Sequence, residues 1–304
     1  MSPSASQLLL TGWTLEPTVV LGLIAFGGAY LYGIGPLRRR YAWGAPVTRA
    51  QVAAFLLGLG TLAFALLSPL DRIGDAYLFS VHMVQHMLIA MVVPPLLLLG
   101  TPGWLLRPLL RPPAVLRVAR VLTSPYVAFA LFNLDFWVWH APALYDLTLT
   151  NSALHVFEHL TFLVFATLNW FPILSPVPDE LPRLSRPAQL VYLFLSCQPM
   201  VLLGAGLTFA GRPLYTPYVA APRLFGLSAL GDQQLGGLIM WLPANFVYLL
   251  AISVVFYLWL ERQGQETEQA ERAAWEAEDA LRAAAASLDS ATPPAPPAVS
   301  TTIE

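Results

Sequence analysis

The chain has no lysine: all 16 of its basic residues are arginine, spread over 304 residues. Charged residues of either sign make up only 11%, against about 25% in an ordinary soluble domain, so a water-facing surface cannot be built for a core of this size. Cysteine occurs once, as Cys197, which excludes an internal disulfide and a CxxC metal clasp. No basic tract is long enough for a nucleic-acid surface. What is abundant is apolar: 57% of residues are hydrophobic and the mean hydropathy is +0.61. The composition therefore describes an all-α, polytopic integral membrane protein.

A hydrocarbon layer about 30 Å thick needs roughly 20 apolar residues as helix, and seven stretches qualify: 17–36, 48–69, 79–100, 121–140, 154–174, 188–209 and 235–260. They predict a bundle of seven transmembrane helices over 17–260, with a short segment 1–16 before it. Glu16, standing where a signal peptide would be positive, argues against a cleaved leader. Residues 261–304 are different: 9 acidic residues against 3 arginines, first in an Ala/Glu-rich helical pattern and then in the Pro-rich TPPAPPAVS (292–300), read as a solvated helix with a disordered tip. With seven spans the loops alternate. Eleven arginines (38, 39, 40, 49, 107, 111, 117, 120, 183, 186 and 262) then fall on one side and three (72, 212 and 223) on the other. The arginine-rich side is cytoplasmic, so the N-terminus is expected outside, the C-terminus inside, and the loop from Trp104 to Arg120 along the headgroups.

That orientation places all five histidines near the outer face. His82 and His86 are i and i+4 on the third predicted span, and His155 and His159 repeat the spacing on the fifth, so each pair shares a helix face. His140 ends the fourth. Met83 and Met87 extend the first pair to an arc of about 140°, and Glu158 stands beside the second as a group able to orient an imidazole. Ionisable residues inside a membrane are costly and usually functional. Imidazole suits copper, zinc, iron and nickel, and thioether sulfur favours Cu(I), so the set His82, His86, His140, His155, His159, Met83 and Met87 reads as a copper site, with Glu158 and Asp135 behind it. The plainer readings stand alongside: His140 as a satisfied polar residue, the methionines as packing, Asp135 as the partner of a loop arginine such as Arg72. Asp71, Asp75, Asp146 and Asp232 read as solvated groups or helix caps. Cys197, with Gln198, Pro199 and Met200, marks a kink.

The stretches VHMVQHMLIAMVVPPLLLLGTP (81–102), LDFWVWHAPALYDLTLTNSALHVFEHLTF (134–162), LTFAGRPLYTPY (207–218) and GDQQLGGLIMWLP (231–243) resemble the caa3-type cytochrome c oxidase assembly factors, the seven-span CtaG proteins. The resemblance runs from about residue 60 to 260. It implies a non-enzymatic chaperone of the respiratory chain, resident in the cell membrane, that helps mature a haem-copper oxidase through copper supply to its catalytic subunit. Its partners would be the oxidase subunits and an extracytoplasmic copper donor. Two other readings compete: a b-type haem electron carrier using one histidine from each pair as axial ligands, and a structural oxidase subunit. The orientation has its own test. A reporter fused after Gln263 should be active only in its cytoplasmic form, and extracytoplasmic activity there would contradict the arginine count.

Overall fold

The computed structural model describes residues 5–42 and 44–290, and among them every regular element is helical. Six helices among the described residues are long and apolar enough to cross a membrane: Pro17–Tyr41, Arg49–Leu67, Phe79–Gly100, Ser152–Leu174, Arg186–Thr208 and Ala229–Ala284. They correspond to the first, second, third, fifth, sixth and seventh predicted spans. The fourth departs from expectation. A single span over 121–140 is replaced by a helix Pro125–Trp139, bent by 65° from Pro113–Leu122. Ser124, held in extended backbone before Pro125, explains the break, because proline disfavours the helical region in the residue ahead of it. Fifteen residues rise only about 22 Å, so a seventh crossing exists only if the bent pair counts as one.

The segment expected along the headgroups forms two short helices, Gly103–Leu110 and Pro113–Leu122, with Arg107, Arg111, Arg117 and Arg120 all exposed. Arg107 pairs with Asp179 at 2.6 Å and Glu180 at 3.0 Å. The last helix, Ala229–Ser290, starts six residues before the expected 235 and does not end at 260, so the boundary read there is a change of composition, not of backbone. The chain divides into two units after Ser253. In the second, the helix to residue 284 is mostly exposed and carries i,i+4 pairs, Arg262 with Glu266 and Arg282 with Glu278. The Pro-rich tip lies outside the described residues.

Two features of the first unit hold the third span in place. A π-turn over Leu88–Val92 follows directly on His86 and Met87. It precedes Pro94 and Pro95, whose rings and missing N–H groups cannot continue a regular α-ladder. The start of the span is capped from far away in sequence. Asp232, buried in the last helix, accepts from the Phe79 backbone N–H at 2.7 Å and the Ser80 N–H at 3.1 Å, and from the Ser80 hydroxyl. A carboxylate there satisfies two orphan donors and faces the positive end of the helix dipole. Its neighbours Gln233 and Gln234 hold the preceding loop, Gln233 by accepting from the Leu214 N–H at 2.6 Å and Gln234 by donating to the Ala210 carbonyl at 3.3 Å. Asp232→Ala should therefore destabilise the protein by about 2 kcal/mol, read as a lower thermal midpoint in detergent, with Asp232→Asn in between. An unchanged midpoint would mean that the cap contributes nothing.

Candidate metal centre

The third span presents His82 and His86 on one face and the fifth presents His155 and His159, as the spacing requires, and the two faces meet. One nitrogen from each of the four rings lies within 4.8 Å of the others. The ring centroids of His86 and His159 are 5.2 Å apart, those of His82 and His155 5.3 Å. His82 and His86 are fully buried and His155 and His159 nearly so.

The second ring nitrogens show how the imidazoles are aimed. Asp75 lies across the two helices, with one oxygen 3.3 Å from His82 Nδ1 and the other 3.4 Å from His155 Nδ1. These are charge contacts, since Asp75 Oδ1 has no hydrogen-bond partner among the described residues, and the carboxylate stands beside both rings ready to offset a positive charge there. His82 Nε2 faces His86 Nε2 at 2.7 Å. His155 Nε2, His159 Nε2 and His86 Nδ1 have no hydrogen-bond partner among the described residues. Unpartnered buried nitrogens cost free energy, and all three belong to rings of the four-histidine cluster. Glu158, fully buried on the fifth span, has an oxygen 3.9 Å from His86 Nε2, and neither of its oxygens accepts a hydrogen bond. The Thr148 hydroxyl is spent on the Tyr145 carbonyl at 2.8 Å. Four neutral donors with two carboxylates behind them form a ready cradle for a cation.

Asp75 reaches this position because the helix Pro69–Ala76 lies against the third span at Gly74. A Cβ on Gly74 would stand 3.0 Å from the His82 Cα and 3.1 Å from its N. Burial raises the Asp75 carboxyl above its ordinary range, with the His155 imidazole opposing. Asp71 on the same helix is pushed up to about 6 by burial, with the Asp75 charge adding and the Gln85 amide opposing. Gln85 donates to Asp71 at 2.8 Å and to the Ala65 carbonyl at 3.0 Å. Tyr218 closes the other side. Its hydroxyl donates to the Gly74 carbonyl at 2.8 Å, receives Tyr145 at 3.1 Å and lies 3.4 Å from His82 Nδ1, and burial lifts this phenol well above its usual range.

Not every residue expected here arrives. His140 stands apart from the four: its Nδ1 donates to the Phe136 carbonyl at 2.7 Å and its Nε2 faces Met83 Sδ at 3.5 Å. Met87 instead lines an apolar cleft with Leu88, Met91, Ile239 and Pro243. Asp135 accepts from the Trp139 indole at 2.8 Å, which also reaches Thr161 at 2.9 Å, so it anchors a tryptophan rather than an imidazole or Arg72. Asp75, read from sequence as a solvated group or cap, is the carboxylate that touches two of the histidines. Tyr145 and Tyr218 carried no spacing signal, although both fall within the stretches that carry the resemblance.

Gly74→Ala should push the Pro69–Ala76 helix off His82 and lower the thermal midpoint by the equivalent of about 1–3 kcal/mol. Gly28→Ala, where an added Cβ meets nothing within 4 Å, should leave it unchanged or raise it. Equal midpoints for the two variants would contradict the close packing.

Comparison with known proteins agrees with the resemblance. Two uncharacterised mycobacterial proteins, from Mycobacterium bovis and Mycobacterium tuberculosis, are each 28% identical over 287 residues, which is 89% of this chain and 42% of theirs. One from Mycobacterium leprae is 27% identical over 277 residues, 82% of this chain and 40% of its own. The chain thus spans about two fifths of the length of these curated relatives. No solved structure matches it. The model of the cytochrome c oxidase caa3 assembly factors matches residues 28–262, and with most of its length covered, the chain belongs to that family.

Proposed function

We propose that this protein supports maturation of a caa3-type oxidase by binding copper at the four-histidine centre and releasing it toward the oxidase's catalytic subunit. The observation that carries the reading is the convergence of one nitrogen each from His82, His86, His155 and His159 within 4.8 Å, on rings three of which keep a nitrogen without a partner among the described residues. The donor chemistry suits a borderline-to-soft cation, and the carboxylates of Asp75 and Glu158 offset its charge. The protein acts as carrier rather than enzyme, with copper as cargo. In the orientation drawn from the arginines, the centre lies near the outer face of the cell membrane, where an extracytoplasmic donor would load it and the oxidase subunit would collect.

Asp75, with about a third of its side chain exposed at 31%, marks the wet edge of the centre and touches His82 and His155. Those two are the loading ligands in this reading, and His86 and His159 hold the ion. A b-type haem draws on the same histidines, but the rings interlock: His86 Nε2 is 2.7 Å from His82 Nε2, and Phe162 packs 4.8 Å from the His86 ring. A macrocycle would have to part all of these, so the packing supports an ion over a haem.

His86→Ala or His159→Ala should abolish copper retention by the purified protein and oxidase maturation in cells. His82→Ala or His155→Ala should slow loading and recover partly as external copper is raised. Oxidase activity across a copper series, with protein level checked by immunoblot, reads both. Four variants that match wild type at limiting copper would overturn the proposal, and a Soret band in the purified protein would return it to haem.

A further inference from the structure

His140 and Met83 meet in a way the four-histidine centre does not use. His140 is 3% exposed and Met83 is sealed at 0%. Their contact joins the end of the Pro125–Trp139 helix to the third span, His140 Nε2 standing 3.5 Å from Met83 Sδ. The other ring nitrogen decides what that contact is. His140 Nδ1 lies 2.7 Å from the Phe136 carbonyl oxygen, which can only accept, so Nδ1 carries the proton of the neutral ring. Nε2 is then a bare lone pair, and it faces a thioether sulfur that has no proton to give. A second proton on the ring would place a full imidazolium charge in a sealed site that has another imidazole, that of His86, with its ring 6.1 Å away. Two buried acceptors turned toward each other are stabilised by a cation between them.

We propose that His140 and Met83 form a second, two-coordinate station for Cu(I), beside the four-nitrogen centre and reached from it. One neutral imidazole and one thioether are a soft pair that favours Cu(I) over harder or divalent ions. With metal–nitrogen and metal–sulfur bonds of about 2.0 and 2.3 Å, taking zinc as the guide, a linear ion needs roughly 4.3 Å between the two atoms. The flexible thioether supplies the remaining 0.8 Å or so by rotation, and a bent arrangement needs less. The two stations are close enough for ligand exchange. His86, with its ring 5.2 Å from that of His159 and 6.1 Å from that of His140, is the first-centre ligand that adjoins the second station. The transfer is an exchange of ligands with no change in the ion's charge: a nitrogen bond breaks as the Nε2 or Sδ bond forms. No oxidant or reductant is consumed.

The inference rests on the copper reading above, and the experiment separates the two. The full-length protein in detergent is titrated with Cu(I) under reducing conditions against a chromogenic chelator, and the loaded protein is examined by X-ray absorption at the copper edge. Wild type should bind two Cu(I) and show a sulfur neighbour at about 2.3 Å. Met83→Leu conserves volume and should bind one, with nitrogen neighbours only, while Met87→Leu should behave as wild type. The double variant H155A/H159A should keep one ion with the sulfur neighbour. Silver(I), a redox-inert ion of the same preference, should reproduce the stoichiometries without dependence on reductant. One ion surrounded by nitrogen alone in wild type, or a Met83→Leu protein that still binds two, overturns the second station and leaves the four-histidine centre standing. No Cu(I) bound by wild type removes both.

Discussion

Everything in this molecule is arranged around the cost of placing imidazole nitrogens in an apolar interior. Burial leaves these nitrogens little access to water, so the rings depend on partners in the protein or in a ligand. The protein answers half of that demand and leaves the other half open. Asp75 stands 3.3 and 3.4 Å from the Nδ1 atoms of His82 and His155 and the Phe136 carbonyl takes that of His140, while His86 Nδ1, His155 Nε2 and His159 Nε2 have no partner among the described residues. A purely structural cluster would be expected to close these bonds. This one leaves them available, which supports the metal ligation proposed above.

The rigidity comes from residues that never touch the centre. Asp232 fixes the first turn of the third span from the last helix, three residues before His82. Gly74 allows the Pro69–Ala76 helix to lie on the His82 backbone, which is what brings Asp75 between two helices. Tyr218 ties the Gly74 carbonyl, Tyr145 and His82 together, and Tyr215 donates to the His140 carbonyl at 3.1 Å. The loop carrying both tyrosines is held in turn by Gln233 and Gln234. The Asp-Gln-Gln stretch is thus a clamp that registers a loop and a helix start against the centre.

Much of this was legible in the sequence, because helix periodicity is local. The two i,i+4 histidine pairs and the long apolar runs needed nothing beyond spacing, and they recover six long helices and the four-histidine face. Tertiary partners do not leave that kind of trace. Asp75 looks like any loop-end acid until Gly74 permits the close approach. Met87, one residue beyond His86, turns toward Ile239 and Pro243, because a residue 140° around the helix from His82 meets a different neighbour. Around the fourth span hydropathy continues through Ser124 and Pro125 while the helix breaks there, so the apolar run is longer than the helix. Asp135 found Trp139, four residues along its own helix, a nearer partner than either the histidines or Arg72.

The central claim is that the open nitrogens form a preorganised cation site in the folded protein. Linkage tests it directly, since a ligand that binds only the folded state raises its stability, by about 2.7 kcal/mol at a free concentration 100 times Kd. The measurement is the thermal unfolding midpoint of the purified protein in detergent with and without Cu(I) at fixed free concentration, for wild type and for H155A/H86A. The account predicts a clear rise in wild type and a much smaller one in the double variant. A wild-type midpoint indifferent to Cu(I), or an equal rise in both proteins, would contradict it.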